Sequence, residues 1–450
     1  MRTEIREMGA AAMEIRPFRA FRYDGQMVGD VGKCIAPPYD VISRAQQQQL
    51  HVRSQYNIVR ITKGKTEPHD NEKNNQYTRA AQCLKKWIEG GVLKQDQRET
   101  IYGYVQDFQV NGRSVRRLSF IALARLEEFG KTVRPHEQTL NGPIIDRLNL
   151  KRATSAKFGI PFMVYEDPDN TAEKIIEKAA SEKPLLDFCD DDNVRHRLFA
   201  VAEKPDIKKI TDMMGNKSCV IADGHHRYTT ALTYSRENPN PAAKFQMLAF
   251  ANTFHEGLLI LATHRLVNSL EKFDPQEFID ALGRDFAVTE YGFDSETAKR
   301  DAKTGAFARM RQEHEQNNNA FAVYCGGNCF RVAVLKNREA MDAAAPDMSE
   351  AWRSLDVAVL HKLILAKLLG IGEKQLAQGS NVEYIKDVGN AVDESIQAVD
   401  SRRKQLVFFL NPTKWEQIRS VTEAGERMPQ KSTYFYPKIY TGLTIQNMTV

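Results

Sequence analysis

The chain has 450 residues, 42% of them hydrophobic and 27% charged, which is enough for two or more domains with separate cores. Its 63 Lys and Arg against 58 Asp and Glu give a formal charge of +5. The two signs are interspersed without a long basic run, a pattern that does not favour a nucleic-acid partner. No segment has the roughly 20 consecutive apolar residues that span a bilayer, and Gly9 to Met13 is too short for a signal-peptide core, so a cytoplasmic protein with no membrane partner is expected.

Patterned sequence begins at Ile15-Arg16-Pro17-Phe18, leaving Met1, Met8 and Met13 as alternative starts. Ala36-Pro-Pro-Tyr-Asp-Val-Ile42 reads as a rigid extended segment that either lines a cleft or serves as a wall. Strands are predicted at Ile101 to Val110, Ser119 to Leu126 and Phe162 to Tyr165, with an irregular connection through Pro135 and Pro143. Within it, Arg134-Pro-His-Glu-Gln-Thr-Leu140 sets the His136 imidazole beside the Glu137 carboxylate. A general base on such a loop reaches an acceptor hydroxyl, and a loop of merely solvated charges fits the residues equally. Glu137 has no second His one helical turn on, so zinc ligation of the HExxH kind is not supported.

The most informative segment is Lys217-Ser-Cys-Val-Ile-Ala-Asp-Gly-His-His-Arg-Tyr-Thr-Thr-Ala-Leu232. Cys219, Val220 and Ile221 suit a buried strand, Gly224 a tight turn, and Tyr228, Ala231 and Leu232 recur at helical spacing. His225, His226 and Arg227 then fall in the first turn of a helix, where the positive end of the dipole stabilises a phosphate or carboxylate. Arg227 adds a planar fork for bidentate contact. The plainer alternative makes Asp223 an ordinary N-cap with both histidines on the surface. Pro239-Asn-Pro241 stops the helix, and strands follow at Gln246 to Ala251 and Leu258 to Ala262. His264-Arg265 comes directly after, at a strand end where ligands gather, and is a candidate second basic pair around the same anion.

Helices are expected over Asp274 to Phe286, Ser295 to Glu315 and the strongly apolar Ser354 to Leu369. Cys325-Gly-Gly-Asn-Cys329 lies between the strand-like Ala320 to Tyr324 and Phe330 to Leu335, so it reads first as a hairpin turn and only second as a metal or redox pair. The six scattered cysteines fit reduced thiols. Near the end, Lys431, Ser432, Thr433 and Lys438 sit in a Pro-framed strand, a set of hydroxyls and ammonium groups suited to phosphate oxygens, or alternatively an edge strand packing Tyr434, Phe435 and Tyr436.

Asp223-Gly-His-His-Arg227 resembles the phosphate-binding motif of the ParB/sulfiredoxin superfamily, in its full-length uncharacterised bacterial and archaeal branch. Further matches in order are Ala36 to Ile42, His136-Glu137 with Thr139, Asp146-Arg147, His264-Arg265, Leu355-Asp-Val and Met428 to Lys438. Sulfiredoxins carry a catalytic Cys where this chain has His225, which excludes their thiol chemistry. ParB-type proteins carry Glu-Arg-Arg at 225–227, whereas the free serine kinases of the superfamily are similar in having Asp-Gly-His-His-Arg. The resemblance implies an α/β chain with a ParB/sulfiredoxin-like phosphate-binding domain with insertions over 13–270 and a smaller α/β C-terminal domain over 271–450 whose strand returns to the site.

The function expected is phosphoryl transfer from ATP or ADP to free serine or a similar hydroxyl metabolite, with Mg²⁺. The alternatives are a phosphate-ester hydrolase and a nucleotide-switched nucleic-acid-binding module. The expected catalytic set is His136, Glu137, Asp223 and His226, and the phosphate set is Gly224, His225, Arg227, His264, Arg265, Lys431, Ser432 and Thr433. Asp223 would cap the helix or hold a metal, and no dedicated set of protein metal ligands is expected.

Overall fold

The computed structural model describes residues 13–110, 112–137 and 141–449, so Met1, Met8 and the 138–140 part of the His136 loop, including Thr139, lie outside the described residues. The fold is mixed α/β in two compact units. The first comprises the chain to Pro135, Thr139–Leu259 and the tail Pro437–Val450. The second comprises His136–Gln138 and Ile260–Tyr436. The division thus falls some residues before the 270/271 boundary read from the sequence, and the last fourteen residues fold with the N-terminal part of the chain.

The first unit is built on a nine-stranded sheet, in the order Val133–Pro135, Cys219–Asp223, Phe162–Tyr165, Phe245–Asn252, Arg113–Arg125, Ile101–Val110, Arg195–Val201 and Leu186–Cys189, with Ile15–Arg16 paired on Arg113–Arg125. Every residue of Phe245–Asn252 is buried, as a central strand covered on both faces requires. Val133–Pro135 pairs in parallel with Cys219–Asp223, which runs antiparallel to Phe162–Tyr165 with an irregularity between Ile221 and Asp223. That irregularity lies one residue before the turn, where it re-aims the end of the strand. Tyr228, Ala231 and Leu232 are buried, so the helical spacing correctly marks the face of His225–Glu237 that packs.

Two expectations are corrected here. The connection expected to be irregular around Pro143 is the helix Asn141–Thr154; Pro143 is its third residue, where the missing N–H is not needed. The Pro-framed strand expected to carry Lys431 to Lys438 covers only Tyr434–Tyr436, and Lys431, at a left-handed φ of 59°, lies outside the extended run.

The second unit carries a six-stranded antiparallel sheet, in the order Phe286–Gly292, Cys329–Leu335, Ala320–Tyr324, Leu406–Phe409, Thr263–Val267 and Val382–Lys386. Asp274 and Ser295 cap the helices Pro275–Asp285 and Glu296–Glu315 as their residue types suggest. Cys325 to Cys329 forms the hairpin turn, with Gly326, Gly327 and Asn328 all at positive φ. The apolar run expected as one helix from Ser354 to Leu369 is instead a short α-turn, Asp356–Val359, continued as a π-helix over Leu360–Ala366. No helix among the described residues is long and apolar enough to cross a membrane.

Candidate functional site

In the first unit, Cys219–Asp223 delivers the chain to Gly224, whose φ of 87° only glycine adopts without strain, and His225–Glu237 begins immediately after. Gly224 occupies the cap position, so Asp223 is not the N-cap and the helix has no side-chain cap. The Asp223 carboxylate serves another purpose. Its Oδ2 lies 2.5 Å from Arg227 Nη2 and its Oδ1 3.0 Å from Lys438 Nζ. Burial by itself would raise this carboxyl, but Lys438 and Arg227 outweigh it and hold the group well below the usual carboxylate range.

Arg227 is only 6% exposed. Its Nη1 donates to the Ile160 carbonyl at 2.9 Å, and its stem and guanidinium pass against two glycines. A Cβ at Gly224 would stand 2.8 Å from Arg227 Nε, and one at Gly159 would stand 2.9 Å from Arg227 Cδ. The turn glycine therefore does two things: it permits the backbone conformation and it leaves room for the guanidinium. Burial acts to lower the guanidinium, while Asp223, Asp40 and Tyr39 favour its charged form more strongly. Arg227 is thus a fixed, internally paired cation, whereas the sequence suggested an accessible one. His225 is buried beside it and His226 is half-buried.

The tail is stitched to the first unit along its length. Pro437 O accepts from Arg117 Nη2 at 2.6 Å, Thr441 bridges to Ala36, and Gln446–Asn447 pairs with Ala156–Lys157. Tyr39, from the rigid Pro-Pro-Tyr-Asp segment, lines a cavity of about 60 Å³ next to Arg227 and carries the Arg147 guanidinium over its ring at 4.1 Å. That segment is a cavity wall. Lys151 and Lys157, which sequence reasoning did not select, line the same cavity. The available signal was Lys157-Phe-Gly-Ile-Pro161, where a cation and a glycine adjoin a predicted strand.

Of the other expected residues, His136, Glu137, His264, Arg265, Lys431, Ser432 and Thr433 belong to the second unit. His136 is fully buried, with Nε2 2.7 Å from Thr433 Oγ1 and the ring edge-on to Phe435. Its carbonyl accepts from Met428 N at 2.8 Å, which fixes the neighbouring Glu137. Ser432 Oγ donates to Pro429 O at 2.5 Å, a local turn contact. His264 and Arg265 sit inside the sheet at 1% and 0% exposure. His264 Nδ1 accepts from Leu410 N at 3.3 Å, so in the neutral ring the proton is on Nε2.

Arg265 Nη2 donates to Lys431 O at 3.0 Å, and the Arg265 guanidinium lies 5.3 Å from the Tyr384 ring. Burial pushes Arg265 down to about 10 against the opposing pull of Tyr384 and Glu137. Burial likewise drives His361, on the π-helical turn, well below its ordinary value, and Arg265 adds to the effect. The single His inside the apolar Ser354 to Leu369 run was the sequence signal for this second polar cluster.

Among the described residues there is no group of three or more His, Cys, Asp or Glu side chains placed to share a metal ion. Both Asp223 oxygens are engaged by cations. The donor set does not fit a Mg²⁺ held by protein ligands alone.

Residues 15–358 match the family model described as "Protein of unknown function (DUF1015)", and the chain belongs to that family. No curated protein matches it in sequence. Among solved structures it is similar to a free serine kinase in complex with AMP, at 14% identity over 68% of this chain and 83% of that one, with a TM-score of 0.33. A conserved hypothetical protein from Pyrococcus furiosus matches at 14% identity over 68% and 89%, TM-score 0.32. SbnI with a C-terminal truncation, from Staphylococcus aureus, matches at 10% identity over 73% and 87%, TM-score 0.34. Likeness at this level carries no argument about this chain's activity.

Proposed function

We propose that this DUF1015 protein binds a nucleotide, ATP or ADP, by its phosphates at the Asp223 to Arg227 turn and transfers a phosphoryl group to a small hydroxyl metabolite such as free serine. One observation carries the reading: two cations, Arg227 and Lys438, converge on Asp223 at the start of a thirteen-residue helix. The helix dipole adds positive potential at that end, a setting that favours a phosphate group. Phosphoryl transfer asks a protein mainly for positioning and charge neutralisation, and a cation locked by Asp223, Ile160 and two glycines is positioned before any ligand arrives. The Asp-Gly-His-His-Arg form, similar to that of the free serine kinases of the ParB/sulfiredoxin superfamily, supports the choice of transfer.

The test is calorimetric titration with ADP and ATP, followed by ³¹P NMR of ATP incubated with serine, threonine and homoserine. Saturable nucleotide binding and a new phosphomonoester resonance are expected. Nucleotide binding with inorganic phosphate as the sole product would make the protein a hydrolase. No nucleotide binding would end the reading.

A further inference from the structure

The cavity beside the turn has a charge balance that the proposed nucleotide site does not account for. Four cationic side chains line it: Arg147 and Lys151 from the helix Asn141–Thr154, Lys157 from the short strand Ala156–Lys157, and Arg227 from the helix after the turn. Arg147 is paired with Asp146, Nε to Oδ2 2.8 Å, and Arg227 with Asp223. Among the described residues the two lysines have neutral partners. Lys151 Nζ donates to Gln246 Oε1 at 3.0 Å, and Lys157 Nζ to the Ala242 carbonyl and Gln446 Oε1 at 2.7 and 2.8 Å. Lys151 is 9% exposed and Lys157 2%. Among the described residues no Asp or Glu lines the cavity, and the remaining wall includes the hydroxyl residues Thr62, Thr230 and Thr441.

Burying an ammonium group without a counter-charge is costly, and two such groups around one space cost more, since each also disfavours its neighbour. The arrangement has the form of a site completed by a ligand with two negative charges. A carboxylate would balance only one lysine; a phosphate monoester carries about −1.5 to −2 near pH 7 and presents three acceptor oxygens. The free space, about 60 Å³, is larger than a single water needs. It accommodates the five heavy atoms of a phosphate group.

We infer that this cavity binds the dianionic phosphate group of a small phosphorylated metabolite, held by Lys151 and Lys157. The inference does not rest on nucleotide binding at the turn and survives its failure. In the empty cavity, burial pushes Lys151 down to about 7, and burial together with the Lys151 and Arg16 charges pushes Lys157 down to about 6. The other charged or titratable groups facing them are Arg147, Arg227 and the Tyr39 phenol, with Tyr234 beside Lys151. A bound dianion reverses the depression, so at pH 8 binding draws protons from solution.

The full-length protein is titrated with inorganic phosphate at fixed ionic strength and pH 8, in two buffers of different ionisation enthalpy, with acetate as the monoanion control. Saturable phosphate binding with net proton uptake is expected, with acetate at least tenfold weaker. Lys151→Met and Lys157→Met each remove a buried charge while keeping the stem, so both should melt at or above the parent temperature yet bind phosphate at least tenfold more weakly. Hydrogen exchange on the unsubstituted protein decides the matter without a variant, through protection of residues 146–159 on adding phosphate. Absence of saturable binding up to about 10 mM phosphate, equal affinity for acetate, unchanged affinity in either Met variant, or binding without protection of that segment would each overturn the inference.

Discussion

Lys438 Nζ lies 3.0 Å from Asp223 Oδ1, a contact that spans 215 positions of sequence and joins the C-terminal tail to the turn at the head of the helix His225–Glu237. It makes the tail part of the electrostatics of the turn. Asp223 stays ionised in a partly buried setting because Lys438 holds one oxygen and Arg227 the other. Loss of Lys438 therefore affects both stability and ligand binding.

For Lys438→Met, the expected loss is about 2 kcal/mol of unfolding free energy, the range for a hydrogen bond to a charged group, measured by urea denaturation at pH 7. The pH dependence has a definite sign. The Asp223 carboxyl is held low in the folded state, so its contribution is fully present above its unfolded value, about 3.9, and is lost as pH falls toward the folded one. The gap between parent and variant should therefore narrow below about pH 4. A gap that widens in acid would contradict the assignment.

Arg227 is buried and paired, so Arg227→Ala should cost about 3 kcal/mol or more as well as abolish binding of the phosphate-bearing ligand. Combining it with Asp223→Ala also takes the partner from Lys438, so the double variant should regain neither stability nor affinity. Arg227→Lys should also be impaired, since an ammonium cannot hold Asp223 and the Ile160 carbonyl as a planar fork does. Recovery of binding in the double variant would remove Arg227 from the site.

Gly224→Ala combines two penalties. The left-handed conformation costs a residue with a Cβ about 1–2 kcal/mol, and the new methyl would meet the Arg227 guanidinium at 2.8 Å. Equilibrium denaturation should show a loss above that conformational figure. Gly130→Ala, at a φ of 96° with nothing within 4 Å of the new Cβ, is the control that carries only the first penalty.

The buried lysines give the ligand-free protein a slope of stability against pH. In the unfolded chain a lysine titrates near 10.4, whereas burial holds Lys151 at about 7 and Lys157 at about 6. Between these limits the unfolded state binds more protons, so stability rises with pH. Thermal melts from pH 6 to 9 in phosphate-free buffer should show this rise, and Lys151→Met or Lys157→Met should flatten it.

The sequence by itself determined the local pieces whose signals are short-range. The apolar run Cys219 to Ile221 with its β-branched Val220 and Ile221, the obligatory Gly224 and the 3.6-residue recurrence of Tyr228, Ala231 and Leu232 specify strand, turn and helix, because backbone conformation and the buried face follow from neighbouring residues. The hairpin at Cys325 to Cys329 was legible for the same reason. Pro143 was misleading, since a proline ends a helix in its interior and begins one in its first turn, and the residues alone leave that position open.

Tertiary structure decided which charges are free. Arg227 and Arg265 look alike in the sequence, both cations after a histidine at the edge of a strand. One is locked on Asp223 in the first unit and the other is sealed in the sheet of the second. Lys151 and Lys157 look like ordinary surface lysines, and residues distant in the sequence enclose them, Gln246 on Lys151 and both Ala242 and Gln446 on Lys157. Burial and charge balance depend on every element packed around a group, and much of that packing comes from residues hundreds of positions away. For that reason the turn could be found by reading along the chain, while the cavity beside it became visible only once the chain had folded.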